Sequence, residues 1–481
     1  MNYFDLLRLA APEAVLVVTA LLVLALGLAN GRAINLCSGV AAAGLLFASS
    51  AVLMLPAQAS MFNGMLVITP LVALFKVICL SLAFFTVILA RQLQTRHHAE
   101  YLALLLLATV GLMLLVGSEE LLVIFIGLEL LGLSLYVMAA FDKTDLRSAE
   151  AGLKYFLFGS TASAFTLFGI SFVYGMTGAT SLAAIAPKLG TMTPLLAAGL
   201  VMTLIGFAFK IAAAPFHLWA PDTYQGAPAP SVAFIASASK VASFVVLGKI
   251  LLIGFGPAQG SAGWQAMVSG WAPLLAVLAA LSILIGNLVA LAQTNVRRLL
   301  AYSAVAHAGY TLLGLVAGGR EGFSATLFYT TTYAFTLVGA FGVVALVRRE
   351  TGGDDFAHFS GLRRRSSWLA GCMAVFMLSL AGIPPLAGFF GKFYLFSAAL
   401  RVGGNHGLLW LVALALFGSL ISFYYYLMVL KVIFVDQTAD NRPKFGLDIV
   451  QRISIGLLAL IVLFLGLFPG GLVWKITSSL P

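Results

Sequence analysis

An all-α membrane fold with about fourteen crossings is what the sequence predicts, and three observations predict it. Of 481 residues 61% are hydrophobic, only 9% are charged, and the apolar residues gather in long uninterrupted runs. A soluble domain carries about 25% charged residues, whereas one membrane span needs about 20 mainly apolar ones. No water-soluble core is able to bury this much apolar surface. The runs lack period-two alternation and are about twice the length of a barrel strand, so the crossing elements are helices.

The first run, 11–29, resembles a signal peptide in length, but Asp5 and Glu13 spoil the basic leading segment that such a peptide needs. It is read as a retained span. Further runs follow at 34–54, 67–90, 99–116, 119–140, 150–175, 195–213 and 229–253. The remainder lie at 271–292, 298–317, 325–347, 368–400, 408–434 and 450–474. No polar linker separates them, so residues 1–481 are read as a single membrane domain.

The net charge of +10 raises the question of nucleic acid. The basic residues occupy short loops, with no basic face and no interleaved stacking aromatics, so nucleic acid is excluded as a partner. Topology explains them better, because basic residues in short loops stay on the cytoplasmic side. Twenty of the 27 Lys and Arg lie outside the spans, and an outside N-terminus places fifteen of them in inner loops. These include Arg32, Arg91, Arg96, Lys143, Arg147, Arg297, Arg298, the Arg348 to Arg365 group, Arg442, Lys444 and Arg452. Both termini are therefore expected outside, on the periplasmic face of a bacterial inner membrane. Cys37, Cys79 and Cys372 fall in apolar runs without paired spacing or nearby His, and are read as packing residues rather than a disulfide or metal set.

Seven lysines remain inside spans: Lys76, Lys154, Lys210, Lys240, Lys249, Lys392 and Lys431, together with Glu129 and, at a span edge, Glu150. Each charge costs about 2.5–3.5 kcal/mol at the bilayer centre. A long side chain near a helix end escapes that cost by lifting its charge to the interface, which suits Lys431, Lys249 and Lys76. Lys210, Lys240 and Glu129 lie well inside their runs, so partners or water within the membrane are required there. Burial drives Lys and Glu toward neutrality, and an opposite charge reverses the effect. Making or breaking a Glu–Lys contact therefore loads or discharges a proton. His307 adds a group that titrates near neutrality, in a polar run with Tyr302 and Ser303.

Two runs carry helix breakers next to lysine. In the seventh, Pro215 follows Lys210, and in the twelfth, Pro384 and Pro385 precede Lys392. Proline frees carbonyls that need water or side chains in lipid, so interrupted helices mark ion paths in transporters. Glu129 and Lys210 fall in spans five and seven, and His307 and Lys392 in spans ten and twelve. An offset of five spans inverts one copy relative to the other, giving half-channel units over about 99–253 and about 271–434. The copies are imperfect, since lysine precedes proline in the first and follows it in the second.

Five phrases carry a family resemblance: FIGLELLGLSLYVMAAF around Glu129, EAGLKYFLFGSTASAF from Glu150, FKIAAAPFHLWAPDTYQGAPAPSVAFIASASK from Lys210 to Lys240, AYSAVAHAGY around His307 and AGIPPLAGFFGKFYLF near Lys392. By these the chain resembles the antiporter-like proton-translocating subunits of respiratory complex I and of multisubunit cation/proton antiporters. Within that family it is most similar to the N type. The chain stops after span fourteen without a lateral helix, and Lys392 stands where the M type has glutamate. All fourteen spans favour a bacterial chain over the shorter mitochondrial counterpart, with the plastid type as a further possibility.

The resemblance implies two inverted five-helix units with broken helices seven and twelve, and a buried relay. In it Glu129 pairs with Lys210, Lys240 bridges and Lys392 ends the second half. His307 joins the relay, with Glu150, Lys154 and Ser303 as auxiliaries. Quinone reduction elsewhere in an NADH:quinone oxidoreductase would alter the first pair, and the change would reach Lys392 and move a proton. The chain has no dinucleotide fingerprint, cysteine cluster or haem motif. Flavin, iron–sulfur clusters and quinone are therefore expected on partner subunits, with no cofactor here. The chain is then a translocase subunit without redox chemistry of its own, whose partners are the other membrane and peripheral complex I subunits, lipid, protons and water. Two rival readings stand beside it. One is a cation/proton antiporter subunit, and the other a scaffold whose buried charges lock helices together. His217 and Asp222 lack a nucleophile or further ligand, so no hydrolytic or metal site is read there.

Overall fold

The computed structural model describes residues 7–29, 34–91, 93, 95–189, 193–402, 407–436, 446 and 448–480. Asp5, both chain termini and the loop residues Arg32, Arg442 and Lys444, which entered the topology argument, lie outside the described residues.

Among these residues twelve helices are long and apolar enough to cross a membrane. The stretches expected as broken spans hold shorter apolar helices, Pro194–Lys210 in the first and Ser367–Ala381 with Ala387–Leu400 in the second. Two spans run well past their apolar cores, as Leu146–Thr177 and Gly319–Thr351, because polar turns at their ends continue the helix. Small antiparallel pairs, Ala59–Met61 with Leu66–Ile68 and Ser261–Gly263 with Ala266–Val268, sit in connecting segments.

The breaks arise differently from the proline expectation. The Pro194–Lys210 helix ends at Lys210 itself, and Ala212 turns the chain through φ +57°, before Pro215 is reached. The Ser367–Ala381 helix ends on Gly382 in the left-handed region at φ +87°, whose N–H meets the Leu378 and Ser379 carbonyls. Pro384 and Pro385 then prevent its resumption until Ala387. A third break was not anticipated: the eighth span divides at Ser237 into Ala229–Ala236 and Ala238–Lys249, with π-helical winding over Ile250–Gly254.

The chain forms two compact units, residues 1–210 with 226–259, and residues 211–225 with 260–480. In the first unit, close helix crossings place the central charges. A Cβ on Gly111 would lie 2.7 Å from the Leu131 nitrogen, so only glycine lets His98–Gly117 approach the Leu121–Ala139 helix that carries Glu129. A Cβ on Gly169 would lie 2.5 Å from the Thr203 nitrogen and 2.6 Å from the Gly199 oxygen. Leu146–Thr177 and Pro194–Lys210 therefore pack backbone to backbone. In the second unit, Trp271–Leu291 and Val296–Ala317 pack in the same manner, with a Cβ on Gly286 falling 2.4 Å from the Ala306 nitrogen.

Gly169→Leu forces side chain against backbone, which cannot yield, and should cost about 1–3 kcal/mol or more. Gly175→Leu on the same helix, where an added Cβ meets nothing within 4 Å, serves as the control. Thermal melting of the detergent-purified protein should fall by several degrees for the first and stay near native for the second. Equal melting temperatures would contradict the close crossing.

Candidate functional site

Glu129 stands half-way along Leu121–Ala139 and is half-buried. The Ser163 hydroxyl, from the Leu146–Thr177 helix, donates to its Oε1. Lys210 is buried at the last position of Pro194–Lys210, where unsatisfied carbonyls favour a cation. Its Nζ lies 5.8 Å from the ring centroids of both Tyr136 and Tyr155, within cation–π range. Glu129, Ser163, Lys210, Thr166 and Tyr136 all border one cavity of about 20 Å³. That is the size of one water molecule, so the carboxylate and the ammonium border the same water-sized space. Sequence reasoning named Glu129 and Lys210. Ser163 and Tyr136 it missed, although Ser163 is signalled by the polar run Ser160, Thr161, Ser163 within an apolar helix.

Lys240 is also buried, on Ala238–Lys249 and three residues past the break at Ser237. This helix packs against Pro194–Lys210, His98–Gly117 and Pro70–Ala90. The Ser237 hydroxyl donates to the Ala233 carbonyl at 2.5 Å, which meets one acceptor left open near the interruption.

The second unit gathers hydroxyls around an imidazole. His307, on Val296–Ala317, is hydrogen-bonded through Nδ1 to the Tyr329 hydroxyl and through Nε2 to the Tyr426 hydroxyl at 3.0 Å. Tyr426 is bonded in turn to Ser303. Beside it, Tyr425 donates to Asn287 Oδ1 at 3.1 Å, and Asn287 donates to the Tyr310 hydroxyl at 2.9 Å. The Tyr310 ring lies edge-on to His307 at 5.6 Å and beneath the Lys392 ammonium at 5.3 Å. Lys392 donates to Ser419 at 2.9 Å and to the carbonyl of Ala381 at 3.1 Å, the last residue of the half-helix before the break. Ser303, His307 and Lys392 are thereby brought together by tyrosines and an asparagine that no sequence spacing connected.

The remaining charges divide. Glu150 and Lys154 form an i,i+4 ion pair of 2.6 Å with side chains 58% and 38% exposed, so the structure does not place them in the buried cluster. Lys431 is exposed. Lys76 and Lys249 do not snorkel. Lys76 is fully buried and pairs with Glu13 at 2.5 Å, and Lys249 pairs with Glu119 at 3.2 Å while donating to the Val116 carbonyl at 3.0 Å. A carboxylate from another element was available to each, and pairing replaced the interface as the means of satisfying the charge. Asp222 is held by Arg298 at 2.7 Å, which accounts for it without catalysis.

Broken helices, buried ammonium groups and a carboxylate around water-sized space define an ion-translocating membrane protein. A family model described as NADH:quinone oxidoreductase/Mrp antiporter, TM, matches residues 118–422. The chain belongs to that family. It is 46% identical over 486 residues to NADH-quinone oxidoreductase subunit N 2 of Acidobacterium capsulatum, covering 98% of each chain. Among solved structures it is similar to a chain of respiratory complex I from Thermus thermophilus, with TM-score 0.81 and 32% identity over 97% of this chain and 100% of that one. A chain of the Mrp complex from Dietzia shares the fold with TM-score 0.86 at 20% identity, over 98% of this chain and 96% of that one.

The Glu13–Lys76 pair gives the buried-charge geometry a direct check. Lys76→Met strands a carboxylate whose other oxygen, Oε2, already lacks a hydrogen-bond partner, and should destabilise by about 3–5 kcal/mol. Adding Glu13→Leu should restore most of that loss. Unfolding titrations of the purified chain read both, and equal losses in the single and double variants would mean the two side chains are not coupled.

Proposed function

We propose that this chain is the N-type proton-translocating subunit of an NADH:quinone oxidoreductase in a bacterial inner membrane. Its termini lie on the periplasmic side and its basic loops on the cytoplasmic side. The observation that carries this reading is the Glu129–Lys210–Ser163 cluster around a cavity of one water's volume. Such a pair exchanges a proton when the contact lengthens or closes, because each partner's charge is held by the other. Redox chemistry on partner subunits, which hold the flavin, iron–sulfur clusters and quinone, supplies the perturbation. The change passes by way of Lys240 to the Ser303, His307 and Lys392 set, and one proton crosses.

The magnitudes suffice. Moving a unit charge against 100 mV costs about 2.3 kcal/mol, while a three-unit change in proton affinity is worth about 4 kcal/mol. The rival reading, cation/proton antiport, is favoured by the similarity in fold to the Mrp chain, and it requires no redox partner.

Lys210→Ala and Glu129→Gln should each lower the protons pumped per NADH in the assembled, liposome-reconstituted complex. Proton flux is followed with a pH-sensitive dye and assembly by native gel. An assembled complex with undiminished pumping defeats the relay. Proton flux driven by a sodium gradient without NADH establishes the antiporter instead.

A further inference from the structure

The relay needs a route by which protons reach its first pair. Tyr136 lies on the same helix face as Glu129, seven residues along, with Gly132 between them. Opposite, Tyr155, Gly159 and Ser163 line up at i, i+4 and i+8 on Leu146–Thr177. The two rows interlock. A Cβ on Gly159 would fall 2.0 Å from the Tyr136 hydroxyl, so only glycine leaves room for it. A Cβ on Gly132 would lie 3.2 Å from that hydroxyl and 3.5 Å from the Lys210 ammonium, which puts both groups around one point. The Tyr136 ring packs edge-on against Tyr155 at 4.8 Å and Phe156 at 5.8 Å.

Tyr136 also borders a much larger open cleft, of about 530 Å³, lined as well by Phe141, Phe156, His97, Glu100 and Lys143. His97 and Glu100 form an ion pair of 3.0 Å with both side chains about half exposed, so this end of the cavity is wet. Among the described residues, Tyr136 is the one side chain that borders both this vestibule and the Glu129–Lys210 cavity.

We propose that the vestibule is the proton inlet to the Glu129–Lys210 pair from the basic-loop face, and that Tyr136 is the door between them. The inference rests on the relay reading above. A phenol donates and accepts at once. Its oxygen takes a proton from vestibule water while its own proton leaves toward the Glu129–Lys210 water, and rotation of the hydroxyl resets it with no net change on Tyr136. Seated against Gly159, the ring keeps bulk water out between transfers.

Four substitutions test this in the assembled, reconstituted complex. Tyr136→Phe keeps the ring and removes the hydroxyl, and should lose most of the pumping that Glu129→Gln loses. Native pumping in Tyr136→Phe beside a deficient Glu129→Gln overturns the inlet and leaves the relay standing. The second readout does not depend on pumping. Ser163→Cys is labelled from the basic-loop side with a membrane-impermeant methanethiosulfonate, with the buried native cysteines Cys37, Cys79 and Cys372 as background. Adding Tyr136→Ala should speed labelling about tenfold, because access limits thiol reactivity there. An unchanged rate overturns the door, even where native pumping in Glu129→Gln has removed the relay itself.

Discussion

Every buried charge in this protein must be satisfied without bulk water, and the rest of the arrangement follows from that demand. An uncompensated ion in low dielectric costs several kcal/mol, and the cost is met only by partners of good geometry. Lys76 meets Glu13, Lys249 meets Glu119 and a carbonyl, and Lys392 meets a carbonyl and a hydroxyl. The first two join groups far apart in sequence, so those charges also fix which helices are neighbours. Close crossings at glycine, such as Gly111 and Gly169, then bring polar atoms within reach that bulkier residues would hold apart.

The helix breaks use the same chemistry in both units. Lys210 precedes its break and Lys392 follows one, which in the sequence makes the copies look mismatched. The mismatch disappears at the level of the carbonyls. Lys210 is the final residue of its half-helix, and Lys392 reaches back to Ala381, the final residue of the preceding one. Both lysines therefore belong to the carboxyl end of an interrupted helix, where the backbone carries partial negative charge. Proline assists the second break, but Ala212 and Gly382 make the turns.

This bears on what a sequence discloses. Hydropathy gave the helices well because lipid imposes one strong requirement, a run of apolar residues, that any reader can count. The charged members of the site were legible for the same reason, since Glu129, Lys210 and Lys392 stand out against hydrocarbon. The neutral members were not. Tyr329, Tyr426, Tyr310 and Asn287 look like ordinary span residues until His307's own helix and three others gather them near it. Snorkelling was a sound expectation for Lys76 from its position alone, and failed because the partner Glu13 is 63 residues away in sequence. The break at Ser237 carried no proline or glycine to announce it.

The neutral members also decide how such a site avoids leaking. A standing wire of water would discharge the membrane potential, about 2.3 kcal/mol per proton at 100 mV. The cavity at Glu129 and Lys210 measures about 20 Å³ and the one beside His307 about 10 Å³, so neither holds a chain of waters. In the proposed relay, transfer would then run through side-chain hydroxyls and single waters, which carry a proton only after rotating into place. Serine and tyrosine would stay uncharged through this, leaving the lysines, Glu129 and His307 as the charge stores the proposed relay needs. Hydroxyls between such stores would impose an order on the steps, so that on the proposed mechanism a perturbation at one Glu–Lys contact moves protons one at a time rather than opening a pore.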